Sequence, residues 1–91
     1  MAFQGEEIVL KGRHVFPEKL SPGQHLFLKR EVDNPVHDMA IGAYTTSGVQ
    51  VGRVDRFTAD VLAPNLSLTE TVNVFVSKRH KGKYKCTVTV L

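Results

Sequence analysis

The clearest pattern in the chain is an alternation of apolar and polar positions in its last third. Apolar side chains recur at every second position in two stretches: Val72, Val74 and Val76, then Tyr84, Cys86, Val88 and Val90. A period of two is typical of a β-strand, whose side chains point alternately to its two faces. Because the segment between the stretches contains Gly82, the pattern predicts a β-hairpin.

Shorter stretches of β character precede this hairpin. The sequence predicts three such strands, over residues 8–15, 25–30 and 40–45. The first is expected to bend at Gly12, since a glycine inside a strand often marks a bulge. A tight turn at Ser47-Gly48 then leads into a fourth strand through Val49, Val51 and Val54.

One short helix interrupts the β pattern. Asp55 is a favourable N-cap residue, and Phe57 and Val61 share a helix face at i, i+4 spacing. Pro64 ends the helix near residue 63. The sequence therefore predicts one domain over residues 1–91, all-β with one or two short helices, whose curled sheet forms a small barrel.

Apolar positions in these elements define the expected core. We expect six residues to be buried there: Ala40, Ile41, Val51, Val54, Val61 and Leu62. Tyr84 is in phase with the buried face of its strand, so core packing is favoured over a binding role. Gly48 and Gly52 are expected to serve the turn and close packing rather than a ligand.

Positive charge is concentrated in the C-terminal hairpin. The chain has twelve basic and nine acidic residues, a formal net charge of +3. Five of the basic residues lie within eight positions that contain no acid: Lys78, Arg79, Lys81, Lys83 and Lys85. Such a patch favours an anionic partner. Lysines also protect exposed strands from edge-to-edge pairing, and both interpretations stay open.

Several classes of protein are disfavoured by the composition. The single Cys86 excludes an intramolecular disulfide and a cysteine-rich zinc site. No apolar run is long enough to cross a bilayer, and the first seven residues are acidic where a secretion signal would be basic. We therefore expect an intracellular, cytoplasmic protein that does not associate with membranes.

The residues that usually carry catalysis are scattered. No nucleophile motif, phosphate-binding loop, dinucleotide fingerprint or paired-histidine zinc spacing is present. His37-Asp38 fits part of a metal or acid–base site, but a lone histidine in a turn is more often a hydrogen-bonded loop residue. We expect no enzymatic activity, no cofactor and no metal.

A binding site is better supported. Arg13, Arg53 and Arg56 lie near a glycine turn and a helix start, without obvious acidic partners in the sequence. Asn34-Pro35 organises the loop between the second and third strands. Asn34 is expected to hold that loop by side-chain-to-backbone hydrogen bonds, with a ligand role secondary.

The middle of the chain resembles the HIRAN domain family. The similarity rests on Arg30-Glu31, Asn34-Pro35 and Ala40-Ile41, then on Val51-Gly52, then on a helix ending in Leu62-Ala63-Pro64. It covers about forty residues closely. The resemblance implies an OB-like β-barrel that binds single-stranded DNA, and in the characterised eukaryotic members it captures the 3′-hydroxyl end. HIRAN domains occur within DNA-processing enzymes and also alone in bacteria and phages, and this chain is expected to be of the stand-alone prokaryotic type.

The resemblance also implies roles for individual residues. Arg13 and His14 occupy the place of an arginine that contacts phosphate and an aromatic residue that stacks on a base. Arg56 matches a basic position that contacts the DNA end, and Tyr84 lies near an aromatic position at the terminal nucleotide.

Two neighbouring positions depart from the family pattern. The acid that would accept a hydrogen bond from the terminal hydroxyl is His37 here, with Asp38 next to it, and the stacking aromatic residue is Val36. The departure puts capture of the 3′-hydroxyl end in doubt, although a small shift of the loop would bring Asp38 into that place.

Two functions follow as hypotheses. The first is a non-catalytic module that binds single-stranded DNA or DNA ends and acts with a helicase or nuclease in repair or replication. The alternative is a protein-interaction domain that recruits a DNA-processing enzyme through an exposed sheet edge without itself contacting DNA.

Overall fold

The computed structural model describes residues 4–12, 20–79 and 85–91. Six strands are present in this part of the chain: β1 (Glu7–Lys11), β2 (His25–Arg30), β3 (Ile41–Thr45), β4 (Gln50–Val54), β5 (Thr71–Arg79) and β6 (Lys85–Val90). One helix, α1 (Arg56–Leu62), follows β4 and continues into a 3₁₀ turn, Ala63–Asn65. All strand pairs are antiparallel, and the strands close into a barrel in the order β1-β4-β3-β2-β5-β6. The predicted all-β barrel with short helical segments is confirmed.

The core fills the inside of the barrel. Every strand directs alternate side chains inward, and the most completely buried are Ile8, Leu10, Leu26, Leu28, Ile41, Val72, Val74, Val76 and Val88. Burying one such side chain contributes about 1.5–3 kcal/mol. The apolar positions that alternate along β5 and β6 therefore form the inward face of a hairpin. The two strands of this hairpin pair from Val74↔Val90 to Arg79↔Cys86.

The two glycines expected to serve the fold do so. Gly48 turns the chain between β3 and β4 with a φ of +90°, a conformation that residues with a Cβ rarely adopt. Gly52 lies where β4 packs against β1, and a Cβ there would lie 3.2 Å from the carbonyl oxygen of Lys11. Neither position tolerates a larger residue without local adjustment.

The first strand and the helix differ from expectation. β1 ends at Lys11, and its predicted extension through Arg13, His14 and Val15 lies outside the described residues. The prediction that Val61 belongs to the core is wrong, because its side chain is 69% exposed. The helix packs against the barrel through Ala59 and Leu62, so the opposite side of the helix, which carries Val61, faces solvent. The other five predicted core residues are buried.

Asp55 connects the start of α1 to the first strand. It occupies the N-cap position, and its carbonyl oxygen accepts a hydrogen bond from the Ala59 N–H at 2.8 Å. Its carboxylate pairs with the Lys11 ammonium at 2.9 Å and makes no hydrogen bond of good geometry to the first turn. The Lys11 contact lowers the pKa of Asp55, and the nearby N–H groups of Thr58 and Phe57 act in the same direction.

The lowered pKa of Asp55 predicts a loss of stability in acid. A carboxylate with a lowered folded-state pKa stabilises the fold fully above its unfolded-state value of about 3.9, and the contribution disappears as the pH falls through the lower folded-state pKa. The melting temperature of Asp55→Asn should therefore decline less between about pH 4 and pH 2 than that of the parent chain. Thermal unfolding monitored by circular dichroism gives the melting temperature. Asp38→Asn, which removes an exposed carboxylate, is the control. A decline as steep in Asp55→Asn as in the parent chain would contradict the prediction.

Candidate nucleic-acid interface

A basic groove lies between the loop of residues 31–40, the outer surface of β2–β4 and the start of α1. It has a volume of about 910 Å³. Four cationic residues line it: Lys29, Arg30, Arg53 and Arg56. Two carboxylates, those of Glu31 and Asp33, also line it, so the charge of the groove is positive. The size lies within the range of about 300–1,000 Å³ that is usual for ligand sites.

Asn34 organises the loop that forms one wall of the basic groove. Its Oδ1 atom accepts hydrogen bonds from the backbone N–H groups of Val36, at 2.9 Å, and of His37, at 3.0 Å. The loop is closed at its base by the Glu31 N–H, which donates to the Ala40 carbonyl at 2.9 Å. The expectation that Asn34 holds the loop through its own side chain is confirmed.

His37 attaches the same loop to α1. Its Nε2 atom lies 2.6 Å from Oδ1 of Asp60, and its side chain is only 15% exposed. Asp38 follows it, but its side chain is exposed and does not line the basic groove. The Asp38 carbonyl oxygen instead accepts a hydrogen bond from Nη2 of Arg30 at 3.2 Å. His37 is thus a hydrogen-bonded loop residue, whose partner is Asp60 rather than its neighbour in sequence.

Within residues 4–12, 20–79 and 85–91, no group of three or more histidine, cysteine, aspartate or glutamate side chains is placed to hold a metal ion. In the same part of the chain, no helix has the length and apolar character needed to cross a membrane.

Arg53 forms an ion pair with Glu31, a partner that the sequence did not suggest. Its Nε atom donates to Oε2 of Glu31 at 2.7 Å, and its Nη2 atom donates to Oε1 at 3.0 Å. Gln50 also donates to Oε1 of Glu31, at 3.3 Å. No acidic partner for this guanidinium is obvious in the sequence, and the fold supplies one, because strand register brings Glu31 to it across 22 positions of sequence. The bidentate pair fixes Arg53 in the groove wall and offsets much of its charge.

Tyr44 forms part of the groove floor. Its ring lies over Gly42 so closely that a Cβ at position 42 would be 2.7 Å from the tyrosine hydroxyl oxygen. The pKa of Tyr44 is raised, mainly by burial and further by the nearby Glu31 carboxylate. The hydroxyl therefore keeps its proton and faces the basic groove as a neutral hydrogen-bonding group.

Lys29 and Arg56 provide the cationic groups best placed for a ligand. Both side chains are exposed, and neither takes part in an ion pair with another described residue. Arg30 is less exposed, and its Nε atom is buried without a hydrogen-bond partner among the described residues. Lys29 and Arg56 are thus available to an anion without first breaking an internal contact.

The register places further basic residues in one row across the sheet. Lys29 is opposite Gly42, Gly42 is opposite Arg53, and Arg53 is opposite Lys11. Lys11 is in turn opposite Lys85 of the C-terminal hairpin. Directly opposed residues project from the same face of a sheet. At least Lys85 of the basic hairpin therefore shares the outer face of the barrel with the cationic floor of the groove.

The site differs in part from the one that the sequence suggested. Of the eight predicted residues, four line the basic groove: Asn34, His37, Arg53 and Arg56. Asp38 lies beside it, and Arg13, His14 and Tyr84 lie outside the described residues. Sequence reasoning missed Lys29, Arg30 and Tyr44. The signal for Lys29 and Tyr44 was their alternation with Leu28 and Ala43, which face the core.

The architecture is shared with known proteins. The family model of the HIRAN domain matches residues 7–91. The chain belongs to the HIRAN domain family. HIRAN domains are a family of DNA-binding rather than catalytic domains, so membership supports a DNA-binding domain in general terms.

Two solved structures share the fold of this HIRAN domain. The crystal structure of the HIRAN domain of human HLTF superposes with a TM-score of 0.78 at 19% identity, over 97% of this chain and 74% of that one. A protein from Lactobacillus plantarum superposes with a TM-score of 0.77 at 18% identity, over 92% of this chain and 87% of that one. No curated protein sequence matches the chain significantly.

Proposed function

We propose that this HIRAN domain binds single-stranded DNA in the basic groove and catalyses no reaction itself. The observation that carries the proposal is the pair of exposed cations, Lys29 and Arg56, on a groove whose other walls are fixed by hydrogen bonds. The Asn34 loop and the Glu31–Arg53 pair hold those walls in place before a ligand arrives. A preformed wall reduces the entropy cost of binding.

The chemistry of a single strand fits this arrangement. Its phosphates are recognised by cationic groups along a groove, and its unpaired bases present flat faces and hydrogen-bonding edges. Lys29 and Arg56 supply the cations, while Tyr44 supplies a neutral hydroxyl in the same groove. Arg13, His14 and Tyr84, outside the described residues, remain proposed DNA contacts.

Discrimination between DNA ends is expected to be weak. A carboxylate that accepts a hydrogen bond from a 3′-hydroxyl would repel a 3′-phosphate. His37 occupies that position and is bonded to Asp60, and the side chain of Asp38 does not line the basic groove. We therefore propose binding of single strands and of their ends, without exclusion of a phosphorylated 3′ end.

We also propose that the domain acts together with a DNA-processing enzyme, either a helicase or a nuclease. Recruitment of that partner by strand addition has less support, because each of the six described strands is paired on both sides. A closed barrel offers no free edge for an incoming strand. Binding of DNA is thus favoured over an interaction made only with protein.

Fluorescence anisotropy tests the proposed function. The full chain is titrated against three labelled oligonucleotides: a single strand with a 3′-hydroxyl, the same strand with a 3′-phosphate, and a blunt duplex. We expect tighter binding of both single strands than of the duplex, and a logarithm of the affinity that falls linearly with the logarithm of the salt concentration. Absence of binding at low salt would refute the proposal, and preference for the duplex would refute its single-strand form.

A further inference from the structure

Phe57 is the most exposed aromatic side chain in the described part of the chain. Its relative exposure is 80%, although phenylalanine is among the residues most often buried. It is not needed for the core, because α1 packs on the barrel through Ala59 and Leu62. Val61, one turn further on, is also mostly exposed, so two apolar side chains lie beside the charged Arg56 and Asp60 on the solvent side of the helix.

The helix places Phe57 at the rim of the basic groove. The residue before it, Arg56, lines the groove. Asp60, three positions after it and on the same side of the helix, is bonded to His37 of the groove loop. The apolar Val36, 80% exposed, precedes His37 on that loop and also lines the groove. Phe57 is therefore the neighbour of a cation that lines the groove, and its ring is open to a strand bound there.

We infer that Phe57 is a stacking platform for one base of a single strand whose phosphates lie in the basic groove. The inference rests on the proposed function and adds a base-contacting residue to it. A flat aromatic ring in solvent stacks on any of the four bases. Arg56, which adjoins Phe57 in sequence, and Lys29, which lines the same groove, complement phosphates of that strand. This charge next to an apolar ring matches the alternation of phosphate and base in a single strand, and it favours DNA over a protein that would bind the apolar side chains alone.

A tryptophan introduced at this position reports on stacking directly. The chain contains no tryptophan, so Phe57→Trp creates a single indole fluorophore. We expect a single-stranded oligonucleotide to quench its emission at saturation. Replacing successive nucleotides by abasic sites should abolish the quenching at one position of the strand. Leu68→Trp is the control, because Leu68 is 53% exposed and does not line the basic groove, and its emission should not change.

Substitutions at Phe57 separate stacking from simple apolar contact. Phe57→Ala should weaken single-strand binding about five- to ten-fold, the lower part of the range measured for base–aromatic stacking. Phe57→Tyr should bind as the parent does, whereas Phe57→Leu, which stays apolar but cannot stack, should behave like Phe57→Ala. Because the side chain is exposed, none of the three should change the melting temperature appreciably.

The outcomes distinguish this inference from the proposed function. If Phe57→Trp binds DNA as tightly as the parent but its emission does not change, the stacking platform is refuted and DNA binding in the groove stands. Full binding by both Phe57→Ala and Phe57→Leu would likewise refute the platform. If the parent chain binds no single strand, both proposals fail.

Discussion

The double variant Lys29→Ala/Arg56→Ala should bind single-stranded DNA about thirty-fold more weakly than the parent chain. Both side chains are exposed on the basic groove, and neither is paired with another described residue. An ion pair at an exposed surface contributes up to about 1 kcal/mol, and two such losses amount to about thirty-fold. The measurement is fluorescence anisotropy at a fixed salt concentration.

The salt dependence of binding by the same variant gives an independent measure of how many phosphate contacts are lost. Each phosphate contact on a single strand contributes about 0.7 to the slope of log affinity against log salt, so the slope should fall by about 1.4. Lys78→Ala is the control for each single variant, Lys29→Ala and Arg56→Ala, because it removes one charge from β5, outside the residues that line the basic groove. Weakening by Lys78→Ala equal to that of the single variants would show that binding follows net charge rather than the groove.

Asn34→Ala should weaken single-strand binding about ten-fold and lower the stability of the domain by about 1–2 kcal/mol. The Asn34 side chain is the acceptor for two backbone N–H groups, those of Val36 and His37, and alanine leaves both without that partner. The loop would lose its fixed conformation, and the wall of the basic groove with it. Urea denaturation gives the stability and anisotropy gives the affinity.

Asn34→Asp separates the structural part of this effect from the electrostatic part. Aspartate supplies the same acceptor to the two N–H groups, so the stability should stay within about 0.5 kcal/mol of that of the parent chain. It also places a negative charge in a groove that binds phosphate, so affinity should still fall, most strongly at low salt. A loss of stability equal to that of Asn34→Ala would show that the loop does not depend on the acceptor at this position.

The parts of the fold that are set by neighbouring residues were predictable from the sequence. The β5–β6 hairpin follows from the period of two, and the turn between β3 and β4 follows from Ser47-Gly48. The helix face was not predictable in the same way. Both Phe57 with Val61 and Ala59 with Leu62 form apolar pairs at helical spacing, and only the packing on the barrel decides which pair is buried.

In the candidate site, too, contacts between residues close in sequence were predictable, and contacts between distant residues were not. The role of Asn34 was predictable because its partners lie two and three positions away. The Glu31–Arg53 pair depends on the register of strands that are distant in sequence, so the sequence left Arg53 without an acid. Lys29 and Tyr44 were missed because an outward-facing residue on a strand is usually solvated surface, and the groove exists only once the loop folds over them.

The closure of the barrel by its first strand has a consequence for folding. β1 pairs with β6 over five residue pairs, from Glu7↔Thr89 to Lys11↔Lys85. The first strand of the barrel thus waits for the sixth, and until β6 is synthesised β1 and β5 each have one edge without its partner, which exposes apolar surface and unpaired backbone groups. Contacts so far apart in sequence close slowly, on the scale of about milliseconds to seconds for β-barrels of this kind. The shape that pairs each described strand on both sides in the finished domain therefore leaves the nascent chain open to aggregation until β6 has been synthesised.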